Sequence, residues 1–88
     1  MIIFRMRYRI ELTKRSVKYL RNLDKNTRFR IQNHIKILSG NPRHPELDIK
    51  KLQGQSYLYR LRIGDYRVLY SIRDEVLLIV IVKNWFPR

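Results

Sequence analysis

The stretch Lys50–Ile72, KKLQGQSYLYRLRIGDYRVLYSI, decides how the rest of the chain is read. Its residues alternate in kind, as they do in a strand, where successive side chains point to opposite faces. One face collects Tyr57, Tyr59, Leu61 and Ile63, then Tyr66, Val68, Tyr70 and Ile72. The other collects Arg60, Arg62 and Arg67 beside Leu58, Leu69 and Ser71. Between the two runs lies Gly64-Asp65, with Gly first as a two-residue type II′ turn wants. The stretch therefore predicts a β-hairpin, and the loop length sets its register. Ile63 falls opposite Tyr66, Arg62 opposite Arg67, and Arg60 opposite Leu69. Two arginines directly opposite one another repel. Selection for stability alone avoids such a pair, and an anionic ligand lying across it would account for it.

Upstream, MRYRIEL (Met6–Leu12) alternates loosely and is rich in β-formers, which predicts a first strand. Thr13 is a helix N-cap, and the first helix runs to about Asn22 with Val17, Leu20 and Leu23 as its apolar stripe. Asp24 caps a second helix reaching about Ser39, with Ile31, Ile35 and Leu38 on one face and Phe29 and Ile37 flanking it. Gly40 and Pro42 stop that helix. Asn41–Lys51 is read as a loop anchored by Leu47 and Ile49. Downstream of the hairpin, Arg73-Asp74-Glu75 turns into a last strand, Val76 to about Lys83. A three-residue loop there puts Lys83 on the arginine face, and a two-residue loop puts it on the core face. The order βααβββ describes an α+β domain, its two helices on one face of a small, mostly antiparallel sheet. The tyrosine and aliphatic face meets the helices; the arginine face stays open.

The 88 residues make one domain, 1–88, and 44% hydrophobic content suffices for a small core. Lys and Arg number 20 against 7 Asp and Glu, a formal charge of +13. That imbalance speaks of partners, either a polyanion or an acidic protein. No cysteine is present, which excludes a disulfide framework and Cys-ligated metal. Val76–Val82 is the longest apolar run, too short for a bilayer. Arginines interrupt the opening MIIFRMRYRI, which lacks the form of a signal peptide. These features predict a cytoplasmic protein with no membrane partner.

Arginine suits phosphate because its planar fork gives paired, charge-assisted hydrogen bonds. Any one strand arginine is ordinarily a solvated residue. The opposed pair Arg62 and Arg67 with Arg60 beside it points instead to a phosphate site, and Lys50 and Lys51 extend the anionic track. The tyrosines fall on the core face and are read as packing. His34 and His44 have no partners at metal spacing, no paired carboxylates stand out, and no Gly-rich phosphate loop occurs. The expectation is chemistry without metal or cofactor, on arginine and lysine.

Nearly the whole chain resembles the RelE/ParE family of bacterial and archaeal toxins. The resemblance is carried by KKLQG, by YLYRLRIGDYRVLYSI and by DEVLLIVIV after an acidic turn. YRIELTKRSVKYLRNL (Tyr8–Leu23) and the Asn41-Pro42 stop fit it too. It implies a RelE-like fold and a type II toxin–antitoxin system. It further implies a metal-independent endoribonuclease that cuts messenger RNA in the ribosomal A site, the 2′-hydroxyl attacking the adjacent phosphate. Matched residue by residue, the catalytic positions are Arg60 and Arg62 on the second strand, Arg67 on the third, and Arg88 near the C-terminus. Lys50, Lys51 and Lys83 are the RNA-binding candidates. RelE-like chains continue beyond that last arginine into a segment often ending in tyrosine, whereas this sequence stops at Arg88. A general acid or base contributes about 10²- to 10⁴-fold in rate. The resemblance thus predicts a slow ribonuclease, one that borrows ribosomal groups, or a shortened sequence. Arginine is a poor proton acceptor, but it can stabilise the charged transition state.

The implied partner is a cognate antitoxin that wraps the toxin and represses their promoter, so operator DNA is contacted only through it. Net charge and exposed sheet edges independently favour an acidic, amphipathic partner. Two alternatives carry the same fold: a ParE-like inhibitor of DNA gyrase, and a catalytically degenerate binding module.

Overall fold

In the computed structural model, the described residues are 8–52, 54 and 58–83. The elements run β1 (Arg9–Leu12), α1 (Lys14–Arg21), α2 (Lys25–Gly40), β2 (Asp48–Lys51), β3 (Leu58–Ile63), β4 (Tyr66–Arg73) and β5 (Val76–Lys83). The strands form one sheet in the order β1-β5-β4-β3-β2, with β1 parallel to β5 and every other pair antiparallel. Among the described residues no helix is long and apolar enough to cross a membrane.

Both helices begin where their caps predict. Thr13 Oγ1 accepts the Ser16 N–H at 3.1 Å, and Asp24 Oδ2 accepts the Thr27 N–H at 3.0 Å. These bonds satisfy backbone donors that a helix start leaves without partners. The inward face of α2 is Ile31, Ile35 and Leu38, all buried. On α1 the inward positions are Ser16 and Leu20, while Val17 is exposed. Ser16 occupies the place expected for Val17 because it meets a need of the sheet. The pairing of β1 with β5 ends at Leu12 and Ile79. Farther along β5, Ser16 Oγ accepts the Ile81 N–H at 3.0 Å in place of a strand partner.

The helices cover the face carrying Leu61, Ile63, Val68, Tyr70, Leu77, Ile79 and Ile81, which with Leu20 and the α2 stripe make the core. Tyr59 stacks on Tyr70 with ring centroids 5.4 Å apart, and Tyr70 Oη donates to the Pro42 carbonyl at 2.8 Å. Tyr59, Tyr66 and Tyr70 therefore serve packing, as the alternation predicts; Tyr57 lies outside the described residues.

The hairpin register is as expected: Ile63 faces Tyr66, Arg62 faces Arg67 and Arg60 faces Leu69. Gly64 turns with φ 58°, in the left-handed region that glycine enters freely. The loop reading of Asn41–Lys51 needs correction, because its end is the edge strand β2, antiparallel to β3. Four residues with three charges carry little strand signal, yet charge and shortness are what edge strands show. Between β4 and β5 the loop has two residues, since Arg73 already faces Val76.

Candidate functional site

The face away from the helices is laid out in rows by the strand register. Asp48, Arg62, Arg67 and Val82 stand side by side across β2, β3, β4 and β5. The next row holds Lys50, Arg60, Leu69 and Val80. A third holds Leu58, Ser71, Leu78 and Glu11. Charge gathers at the corner near the β3–β4 turn, and apolar side chains fill the middle. Over that apolar field lies a groove of about 590 Å³, whose walls include Leu58, Leu69, Leu78, Val80 and Glu11.

The three hairpin arginines share this face but not the same surroundings. Arg67 is 8% exposed and folds back on its own turn. Its Nη1 donates to the Gly64 carbonyl at 2.7 Å and the Tyr66 carbonyl at 3.0 Å. Arg60 lies low on the sheet with 17% of its side chain exposed, and its Nη2 donates to Asp48 Oδ1 at 3.0 Å. Arg60 Nε is buried with no hydrogen-bond partner among the described residues. Arg62 is exposed, flanked in its row by Asp48 and Arg67. The repulsion between Arg62 and Arg67 is thus relieved inside the protein. Arg67 turns to backbone carbonyls, which accept from a guanidinium, and Asp48 stands on the other side of Arg62. Backbone carbonyls and Asp48 thus accommodate the opposed pair within the protein itself.

Of the lysines, Lys50 faces Arg60 on this side of the sheet. Lys51 pairs with Tyr59 and so points to the helix side. Lys83 pairs with Tyr66, and its Nζ sits 5.8 Å from that ring's centroid, a cation–π contact. The two-residue turn at Asp74-Glu75 selects this second placement, which takes Lys83 off the arginine face. Arg88 lies outside the described residues. Asp48 was missed by sequence reading. Alternation through Asp48-Ile49-Lys50, with Ile49 inward, could have revealed it, had the segment been read as a strand. Among the described residues no three His, Cys, Asp or Glu side chains gather as a metal site.

Residues 10–84 match the family described as the ParE toxin of type II toxin–antitoxin systems. The chain belongs to the RelE/ParE toxin superfamily. It is 35% identical over 79 residues to the protein named RelE1 of Methanocaldococcus jannaschii, covering 89% of this chain and 88% of that relative. A chain in the crystal structure of the archaeal RelE–RelB complex from Pyrococcus horikoshii superposes with TM-score 0.77 at 36% identity, over 90% of this chain and 97% of the other. The RelB–RelE antitoxin–toxin complex from Methanococcus jannaschii gives TM-score 0.68 at 26% identity, over 82% and 87%. The RelE-like fold, two helices on a five-stranded, mostly antiparallel sheet, is therefore that of this chain.

Proposed function

We propose that this RelE-like toxin cleaves messenger RNA on the ribosome and is neutralised by a cognate antitoxin. The observation that supports this reading best is the charged corner, where Arg62 stands exposed beside Arg60 and Lys50 on one rigid sheet face. Strand positions hold such groups better than loops do. In the reaction, a ribose 2′-hydroxyl attacks the neighbouring phosphorus and the 5′-oxygen leaves. Negative charge grows on the phosphoryl oxygens, and preformed guanidinium donors stabilise it. Arg62 makes the direct phosphate contact in this reading. Arg60 adds charge from beneath, Lys50 lengthens the track, and Arg67 holds the turn that presents Arg62. Arg88 is assigned a transition-state contact on the resemblance alone. Lys51 and Lys83 face the helix side and would meet RNA or ribosome outside the reacting centre.

Two of the solved relatives are RelE–RelB complexes, and this supports a RelB-like partner here. The apolar groove beside a basic corner suits an amphipathic acidic segment, and operator DNA would be reached only through that antitoxin. The test is cell-free translation with primer extension on the messenger. Wild-type toxin is expected to arrest translation with discrete cleavage, and Arg62→Ala to cleave about a hundredfold more slowly. Undisturbed translation would sink the reading. Undisturbed translation together with inhibited gyrase supercoiling would instead place the chain among the DNA-gyrase inhibitors.

A further inference from the structure

We infer that Asp48 is the proton acceptor of this site, taking the proton from the attacking 2′-hydroxyl. The assignment rests on the ribonuclease reading above and supplies the group that reading lacks. A cluster of arginines can hold and stabilise a phosphate, but a guanidinium cannot be deprotonated in a protein. Lys50 must first lose a proton before it can take one. A carboxylate needs no such step, and β2 brings one to the arginine corner.

The placement is specific. Asp48 faces Arg62 across the β2–β3 pair, and its Oδ1 accepts from Arg60 Nη2 at 3.0 Å. Its side chain is 56% exposed while that of Arg60 is 17% exposed, so the carboxylate is open to solvent beside the arginine that anchors it. Among the described residues Oδ2 has no hydrogen-bond partner. The other carboxylate read on this face, Glu11, lies on β1, with β5 and β4 between it and β3, and is bonded to Arg9 at 3.3 Å. At about 4.8 Å per strand it is too far to serve.

Attack requires the 2′-oxygen about 3–3.5 Å from the phosphorus. A phosphate hydrogen-bonded to Arg62 therefore carries its neighbouring 2′-hydroxyl toward the carboxylate that stands beside Arg62 on the next strand. The O2′–H bond breaks and its proton passes to Asp48. The O2′–P bond forms, and the P–O5′ bond breaks with its electron pair going to O5′. That oxygen takes a proton from solvent water, and the resulting hydroxide removes the proton from Asp48. The products are a 2′,3′-cyclic phosphate and a 5′-hydroxyl end.

A purely structural salt bridge makes a different demand. Arg60 needs only an acceptor, and an asparagine oxygen is one. Asp48→Asn therefore keeps the hydrogen bond and removes the proton acceptor. The experiment measures single-turnover cleavage of messenger on programmed ribosomes at saturating toxin, with the full chain as wild type, Asp48→Asn, Asp48→Glu and Arg62→Ala. Binding to the same ribosomes is measured in parallel. We expect Asp48→Asn to be slower by about a hundredfold or more with binding no weaker than wild type, and Asp48→Glu to recover part of the rate. Asp48→Asn within about threefold of wild type overturns the assignment and leaves the ribonuclease reading standing. Binding lost in step with rate overturns it as well, since the residue then acts by positioning. A wild-type chain that does not cleave overturns the ribonuclease reading itself.

Discussion

Arg62 and Arg67 are the same residue type, directly opposite one another, yet they do different work. The difference lies in reach. Arg67 starts one residue past Tyr66 and can curl back to the Gly64 and Tyr66 carbonyls, tying the turn from within. Arg62 has no such carbonyl partner among the described residues and stays in the open. Arg67→Ala is accordingly expected to lower stability by about 1.5–3 kcal/mol, the range for hydrogen bonds to a charged group. A lower urea midpoint with unchanged slope would register it. Loss of activity in that variant would then report partly on the turn, whereas in the proposed function Arg62→Ala reports on the phosphate contact. That three arginines share a face was legible in the alternation of Leu58–Arg67. Their separate roles were not, because hydrogen bonds of the side chains to a turn and to a neighbouring strand leave no mark on spacing.

At the scale of elements, the two helices, the hairpin and β5 could be read from caps, periodicity and turn residues. Two assignments could not. The strand β2 exists because β3 has a free edge: Asp48–Lys51 pairs with Tyr59–Arg62, and Leu52 N–H continues the ladder to the Leu58 carbonyl at 2.9 Å. Pairing with another strand, not local propensity, makes it a strand. The inward side of α1 was also set from outside, by the Ile81 N–H. Ser16→Ala keeps the helix but leaves that buried donor without its acceptor. The expected cost is about 1–3 kcal/mol, measurable by denaturation. Amide exchange at Ile81 should speed up by more than the global loss of stability accounts for. A Ser16→Ala protein as stable as wild type would contradict this reading.

For the whole molecule, the buried phenol of Tyr70 couples stability to alkali. Burial, with the nearby Tyr59, holds its pKa well above the usual tyrosine value. Tyr19 is raised too, by burial and by Tyr66. In the unfolded chain these phenols ionise near pH 10. The unfolded state therefore releases its protons first, and stability falls as pH rises above about 10. Tyr70→Phe should flatten that fall without abolishing it, since Tyr19 remains. At neutral pH it should cost about 1 kcal/mol for the lost bond to the Pro42 carbonyl. Denaturation midpoints from pH 7 to 11 on both proteins would check the pair of effects. The amino-acid sequence by itself determined the α+β class, the helix caps, the hairpin register and the gathering of arginines on one face. Each of these follows from the period of a helix or strand and from the length of a turn, which are local properties. Only the tertiary structure decided that Asp48 joins the arginines, that Arg67 serves the turn, and that Lys51 and Lys83 face the helices. Those outcomes depend on which strand lies beside which, and on how a long side chain resolves its charge against groups far away in sequence.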